Sequence, residues 1–276
     1  MPIKVTSIVF SKKPTYISSA PKNQLWFAMQ FAFGIPVKSK IVSKNWDVVK
    51  ETLSRSLTSI LAQEYTDIKV FLACHEIPDV PEIKDPRVQV LQATFDVPLY
   101  KAEFMLDKHR KREMIAVRWR GLGGGYLMYV DSDDLVSNRL AKFVMDQHTC
   151  RGFVVQNGYD LNHSTGKMNI APRFYKICGT NCVINWAIDE LPNTLFQRQH
   201  VLFRDTITVG SAFTPSLFAK RGEPLRKIPF PAVVYVRSHG ENATDFLDTE
   251  SWRRRLLRSL TPTIRDKSGI LTEFAM

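Results

Sequence analysis

Apolar residues recur along the chain with two periods, one typical of strands and one typical of helices. Residues 3–10 alternate like a buried strand, and Ile68–Ala73 form a continuous apolar run of strand length. A helix capped by Asn45 and reaching Gln63 is predicted between them, because five apolar residues recur every three or four positions. These residues are Trp46, Val49, Leu53, Leu57 and Ile60. The segment 11–44 shows no clean period and is interpreted as an irregular or partly helical insertion.

Strand and helix signals continue to alternate up to residue 148. The pattern predicts a short strand at Val88–Leu91, a helix at Lys108–Arg120, a strand at Tyr126–Val130 and a helix at about Asn138–His148. The glycines Gly121 to Gly125 end the first of these helices, and they lack the strand–loop–helix order of a phosphate-binding loop. This βαβαβ order predicts an α/β fold with a mostly parallel central sheet and helices on both faces.

The second half of the chain has shorter elements. Segments 152–161 and 167–171 read as a hairpin, 232–236 as a strand, and residues near 178–184 and 211–220 as a short segment and a helical patch. The last piece, WRRRLLRSL, reads as a basic helix. We therefore expect one domain over residues 1–276, with a smaller C-terminal hairpin region and a basic C-terminal helix and tail at 251–276.

Composition narrows the class of partners without selecting one. The chain has 276 residues, 44% of them hydrophobic, and a net charge of +11, which favours anionic partners such as phosphorylated ligands, nucleic acid or acidic membranes. Four cysteines lack zinc spacing, and no apolar run has the length of a membrane helix. The expected location is cytoplasmic, with reduced cysteines.

The strongest local signal is Asp131-Ser132-Asp133-Asp134, directly after the predicted strand YLMYV. In open α/β sheets, ligands bind beyond the carboxyl ends of the strands. Asp131 and Asp133 can both reach one hard divalent cation, manganese or magnesium (Mn²⁺ or Mg²⁺), which shares its oxygen ligands with substrate phosphates. The alternative is an acidic turn that caps the next helix, with Asp134 in that role.

Six segments follow one another along the chain: SLTSILAQEY, IKVFLACHEIP, DKHRKR, the strand with DSDD, GTN and YVRSHGENAT. In this order they resemble the family 2 glycosyltransferases and their GT-A relatives. The resemblance covers roughly residues 3–244. It implies that Asp131, Ser132 and Asp133 hold the metal and the donor diphosphate, with residues 1–134 as the nucleotide-sugar-binding half and 135–250 as the acceptor-side half. It further implies that the ends of the first two strands frame the nucleotide base. Those donor-binding residues are Phe10, Ser11, His75 and Glu76.

The resemblance also assigns roles to a basic helix and a late loop. Basic residues of the segment DKHRKR approach the donor phosphates, and we expect Lys108 and Lys111 to be the two that do so; a solvated basic face is the alternative. A late histidine, here His239, completes the metal shell, and the alternative is a loop histidine without a partner.

The acceptor side and the catalytic base follow from the same resemblance. A small turn at Gly179, Thr180 and Asn181 lines the acceptor side, with a purely structural turn as the alternative. Asp205 is the preferred candidate for the base that deprotonates the acceptor hydroxyl, and the other candidates are Asp189, Glu190 and His200. An enzyme that retains configuration requires no such base.

The expected function is transfer of a sugar from a nucleotide-diphosphate-sugar donor, most often a UDP-sugar, to an acceptor hydroxyl. The acceptor is a glycan, a lipid-linked sugar or a small molecule, as in bacterial surface or extracellular polysaccharide biosynthesis. The basic C-terminal helix allows weak peripheral membrane contact, and no specific nucleic acid is expected. The alternatives are a sugar nucleotidyltransferase, a binding module for nucleic acid or an anionic surface, and a non-catalytic domain.

Overall fold

The fold is described here from a computed structural model, in residues 30–147, 150–196, 200–208, 210–242 and 262–276. The strands are β1 (Phe31–Pro36), β2 (Ile68–Cys74), β3 (Val88–Gln92), β4 (Gly125–Tyr129), β5 (Leu135–Val136), β6 (Gly152–Val155), β7 (Asn157–Asn162), β8 (Met168–Pro172), β9 (Cys182–Trp186), β10 (Arg226–Ile228) and β11 (Val233–Arg237). The helices are α1 (Trp46–Leu61), α2 (Phe104–Arg120), α3 (Leu140–Asp146), α4 (Val201–Thr208), α5 (Thr214–Lys220) and α6 (Ser268–Glu273).

The central layer is a seven-stranded, mostly parallel sheet in the order β10-β6-β9-β4-β1-β2-β3. The strands β3, β2, β1 and β4 are parallel to one another, whereas β9 is antiparallel to β4 and β6. A second, four-stranded sheet has the order β5-β11-β7-β8 and contains the predicted hairpin as β7 and β8. The predicted α/β class with a mostly parallel central sheet is confirmed.

Helices cover both faces of the central sheet, as the alternating pattern predicts. Side chains of β1 show the division: Phe31 and Phe33 pack in the core with α1 and α3, and Ala32 packs in the core with α2 and α4. Since successive residues of a strand point to opposite faces, one buried strand supplies both cores. This explains why β1 is buried along its whole length.

Strand β1 corrects the interpretation of segment 11–44 as an irregular insertion. Phe31–Pro36 lies between β2 and β4 in the middle of the sheet, so at least this part of the segment is a central strand. The strand predicted at residues 3–10 and the basic helix WRRRLLRSL lie outside the described residues. Only residues 37–45 separate β1 from α1.

Helix α1 shows how its sequence determines its ends and its buried face. The Asn45 side chain caps the helix by accepting hydrogen bonds from the backbone N–H groups of Asp47 and Val48, at 3.0 and 3.4 Å. Leu53 and Leu57 are completely buried on its inner face. Burying each such leucine contributes about 2 kcal/mol.

Other predicted boundaries shift by a few residues or divide. Helix α2 begins at Phe104, four residues before the predicted start at Lys108. The predicted strand over residues 152–161 divides at Gln156 into β6 and β7, which belong to different sheets. Gly124, in the turn before β4, has a φ of +76°, and a Cβ there would lie 2.6 Å from the carbonyl oxygen of Trp186. This close approach requires glycine at the helix–strand turn.

The four cysteines are free thiols. None of the helices in the described parts of the chain combines the length and the apolar character needed to cross a membrane.

Candidate active site

A cavity of about 330 Å³ lies at the carboxyl ends of the central parallel strands. Lys38 follows β1, Asp131 and Asp133 follow β4, Lys108 comes from α2, and Asn242 comes from the loop after β11. The cavity therefore joins both sheets and contains the acidic motif. Its volume is within the usual range for small-molecule sites, about 300–1,000 Å³.

Asp131 lies against the basic helix α2. Its carboxylate oxygen Oδ1 is 2.6 Å from Lys108 Nζ and 3.6 Å from a terminal nitrogen of Arg112. Burial raises the pKa of the Asp131 carboxyl, but the positive charges of Lys108 and Arg112 outweigh burial and hold that pKa below its usual value. Asp131 is therefore an anion in a pocket of positive charge.

Asp133 lies against the opposite wall of the cavity, in contact with the loop after β11. Its Oδ2 atom is 2.8 Å from His239 Nε2 and accepts a hydrogen bond of 2.8 Å from the Asn242 side-chain amide. The loop turns back toward the motif through Ser238 and Gly240, whose φ angles are +64° and +87°. His239 thus has an acidic partner, and the structure brings it next to Asp133 as the resemblance implies.

Asp134 is completely buried and belongs to the framework of the site. It accepts hydrogen bonds from the Thr180 hydroxyl at 2.6 Å and from the backbone N–H of Val236 at 3.3 Å. Burial, together with the nearby carboxylates, raises the pKa of Asp134 well above its usual value. The interpretation of Asp134 as a helix cap is wrong, because α3 begins at Leu140.

The turn at residues 178–181 holds the backbone of Asp131 in place. The Thr180 hydroxyl accepts a hydrogen bond of 2.9 Å from the Asp131 backbone N–H, and the Asn181 amide donates to the carbonyl oxygens of Tyr175 and Cys178. Both side chains are buried. Of the three residues predicted on the acceptor side, Gly179 lines this cavity, and Gly179 and Asn181 line a second, smaller one. The buried Thr180 lines neither, which corrects its placement.

The cations of α2 divide into two roles. Lys108 and Arg112 contact Asp131, whereas Lys111 is buried and donates to Asp107 Oδ2 at 2.6 Å and to the Val37 carbonyl at 2.8 Å. Burial lowers the pKa of Lys111, and the Asp107 carboxylate opposes that effect. Lys111 lines the cavity, and its ammonium group ties α2 to the end of β1. Its expected role at the donor phosphates stays a prediction.

Of the four residues predicted to frame the nucleotide base, the two that the structure describes, His75 and Glu76, do not line the cavity. Phe10 and Ser11 lie outside the described residues. His75 is buried with its Nε2 2.7 Å from Asp107, and Glu76 accepts hydrogen bonds from the Ser39 hydroxyl and the Lys40 N–H. The structure thus corrects the placement of His75 and Glu76, because both side chains brace the loop and helix around β1. The cavity wall at the end of β1 is formed by Pro36, Val37 and Lys38.

None of the four candidate bases lies on the cavity wall. Asp205 is on α4, 3.5 Å from Arg204, and Asp189 is exposed in a short turn after β9. The adjacent Glu190 forms a bidentate pair with Arg151, with N–O distances of 2.7 and 2.8 Å. The geometry therefore does not support Asp205 or Asp189 as a group that touches an acceptor in this cavity.

Two residues that the sequence analysis did not select connect the walls of the cavity. Lys38 Nζ is 2.5 Å from Glu241 Oε2, and Glu241 Oε1 accepts a hydrogen bond of 2.6 Å from the Asn45 backbone N–H. Glu241 is buried, so it holds the loop after β11 against the start of α1. The sequences Lys-Ser-Lys at 38–40 and His-Gly-Glu-Asn at 239–242 were the available signals, but only the fold places them together.

The chemistry of the motif suits a divalent cation, although its ligands are not assembled. Two carboxylates and the Asn242 amide line the cavity, and the buried His239 imidazole contacts one of those carboxylates. The Asn242 carbonyl oxygen is buried without a hydrogen-bond partner. Such oxygen and nitrogen ligands suit Mn²⁺ or Mg²⁺. In the described part of the chain, however, no three His, Cys, Asp or Glu side chains are arranged around a common point. Asp131, Asp133 and His239 therefore fit a cation by chemistry, provided that Asp131 turns away from α2.

His109 on α2 gives a pH-dependent prediction for stability. Burial lowers its pKa from 6.5 to about 4, and Arg112 and Lys108 act in the same direction. Because the folded pKa lies below the unfolded value, its stabilising contribution is present above about pH 6.5 and is lost as the pH falls toward about 4.

We expect the free energy of unfolding to fall by about 2 kcal/mol more in the unchanged protein than in His109→Gln over that pH range. Urea unfolding of both proteins at a series of pH values measures this difference. Parallel pH profiles would contradict it.

Comparisons with known proteins give similarities of fold without close relatives. No protein family profile matches the chain, and no curated protein matches it. Among solved structures, the chain is similar to the apo-form glycosyltransferase GlyE of Streptococcus pneumoniae TIGR4, at 12% identity and a TM-score of 0.38. That similarity covers 87% of this chain and 66% of GlyE, so the chain spans slightly less than two thirds of GlyE.

Two further solved structures belong to the same class of protein by name. A protein of Desulfovibrio desulfuricans G20 that is named as a nucleotide-diphospho-sugar transferase has 10% identity and a TM-score of 0.38. The similarity covers 90% of this chain and 99% of that protein's chain. The galactosyltransferase LgtC, in complex with donor and acceptor sugar analogs, has 10% identity and a TM-score of 0.37. The similarity covers 86% of this chain and 98% of the LgtC chain. Similarities of this size assign no activity, so function rests on the geometry of the site.

Proposed function

We propose that the protein is a glycosyltransferase that moves a sugar from a nucleotide-diphosphate-sugar donor to an acceptor hydroxyl. The observation that carries the proposal is the cavity beyond β1 and β4, where the carboxylates of Asp131 and Asp133 face cations of α2 and the loop after β11. A nucleotide diphosphate needs positive charge at one end of its site and an apolar wall at the other. The cavity provides both.

The two ends of the cavity define an orientation for the donor. Val42, Pro98, Phe104 and Met105 form an apolar wall, and Lys108 lies beside the acidic motif. Aromatic and aliphatic side chains of such a wall suit the flat nucleobase, while a lysine suits phosphate oxygens. The donor therefore enters with its base against α2's first turn and its diphosphate toward Asp131 and Asp133.

A divalent cation, Mn²⁺ or Mg²⁺, would be held by Asp131, Asp133 and His239. When bound, it would neutralise the charge that develops on the nucleoside diphosphate as the bond to the sugar breaks. Lys108 would donate to a phosphate oxygen and stabilise the same charge. Gly179, which has no side chain, leaves room next to Asp131 for the sugar and the approaching acceptor.

The proposal also names a class of donor nucleotide and classes of acceptor. A UDP-sugar is the donor that we propose, and a glycan, a lipid-linked sugar or a small molecule is the acceptor, in bacterial surface or extracellular polysaccharide biosynthesis. The sequence resemblance supports these choices. Contact with an anionic membrane surface would follow from the net charge of +11 and the basic C-terminal sequence.

A thermal-shift screen tests the proposal. The purified protein is heated with UDP-, GDP-, dTDP- and CMP-linked sugars, each with and without Mn²⁺. A ligand that binds only the folded protein raises its melting temperature by mass action, so we expect one nucleotide class to do so in the presence of Mn²⁺. No shift with any donor would overturn the proposal.

A further inference from the structure

The two carboxylates of the motif are held apart by different elements. Asp131 is drawn to the Lys108 ammonium at 2.6 Å, and Asp133 is drawn to His239 and Asn242 at 2.8 Å. The contact of Asp131 lies on α2, and the two contacts of Asp133 lie on the loop after β11. A cation that needs both carboxylates must therefore compete with Lys108 for Asp131.

Electrostatics make this competition strong. Lys108 and Arg112 already neutralise Asp131, and both would repel a divalent cation that approached the same oxygen atoms. An anionic diphosphate reverses the balance, because its oxygens attract the same lysine. The cation and the donor would then favour each other's binding through one shared side chain.

We propose that Lys108 is a counter-ion that occupies Asp131 in the donor-free protein and moves to the donor diphosphate, so that the divalent cation binds together with the donor. This inference rests on the proposed function and adds an order of binding to it. Lys108 is a positioning residue for the cation as well as a donor contact.

Lys108, rather than Arg112, is the side chain that can move. The Lys108 side chain is 27% exposed, whereas that of Arg112 is 9% exposed and its guanidinium lies 5.2 Å from the centre of the Tyr129 ring. A lysine on a flexible stem changes partner more readily than a buried, stacked guanidinium. Arg112 would keep a positive charge near Asp131 in both states.

The experiment measures Mn²⁺ binding to the donor-free protein by the loss of the free-ion electron paramagnetic resonance signal. The proteins compared are the unchanged protein, Lys108→Gln and the matched control Lys142→Gln. Lys142 is an exposed lysine of α3 that pairs with Asp146, so its loss changes the net charge equally, away from the cavity.

We expect Lys108→Gln to bind Mn²⁺ about tenfold more tightly than the unchanged protein, because one competing charge is gone. Lys142→Gln should bind it as the unchanged protein does. Equal affinity of the unchanged protein and Lys108→Gln would overturn the inference, and so would equal tightening in both variants. Absence of Mn²⁺ binding in all three proteins, with UDP, GDP, dTDP or CMP also added, would overturn the proposed metal site itself.

Discussion

Replacing Asp133 with asparagine is expected to abolish Mn²⁺-dependent donor binding and to lower sugar transfer by roughly 10³-fold. The substitution removes the negative charge next to His239, whereas the side-chain oxygen of the new asparagine can still accept the hydrogen bond from the Asn242 amide. A cation that stabilises the leaving diphosphate by several kcal/mol has a correspondingly large effect on rate, since each 1.36 kcal/mol is about tenfold. Titration calorimetry with donor and Mn²⁺, together with product formation, measures both effects.

Asp205→Asn is the matched control for Asp133→Asn. It also removes one carboxylate, but from α4, where Asp205 contacts Arg204 and does not line the cavity. We expect this variant to keep donor affinity and turnover within about twofold, as surface substitutions away from a site usually do. Equal loss of turnover in both variants would return Asp205 to the role of catalytic base. Unchanged donor affinity in Asp133→Asn would remove the motif from the donor site.

Strong local patterns made much of the sheet predictable. The apolar run at β2 and the apolar strand before the acidic motif identify parallel strands, and Asn45 with its helical period identifies α1. Those signals come from residues close in sequence. Because ligands bind beyond the carboxyl ends of parallel strands, the position of Asp131 and Asp133 at the site follows from the same signals.

Strand β1 could not be identified in the same way. Residues 3–10 and the sequence FAFGIP both have the apolar content of a buried strand, and nothing local shows which one pairs with β2 and β4. Parallel pairing joins residues that are far apart in sequence, so it depends on the whole sheet. This choice also affected the residues predicted to bind the nucleotide base. Two of them, Phe10 and Ser11, come from the end of the strand predicted at residues 3–10, whereas the loop after β1 begins at Val37.

The roles on α2 depended on tertiary packing in a similar way. Lys111 and Arg112 follow Lys108 by three and four residues, so both lie on the same side of the helix as Lys108. Which of them reaches Asp131 is decided by the depth at which α2 packs on the sheet. At that depth, the Lys111 ammonium group bonds to Asp107 and Val37, which line the cavity together with it.

Replacing Gly179 with alanine is expected to lower turnover by about 100-fold while the protein keeps its fold. A Cβ at residue 179 would lie 2.6 Å from Asp131 Oδ2, and φ there is outside the left-handed region, so the strain falls on the carboxylate. A displacement of about 1 Å at a reacting centre can cost about 10²-fold in rate. Gly269→Ala on α6, whose Cβ would meet nothing within 4 Å, is the matched control for the loss of a glycine. Full turnover in Gly179→Ala would show that Asp131 does not need its position beside the turn.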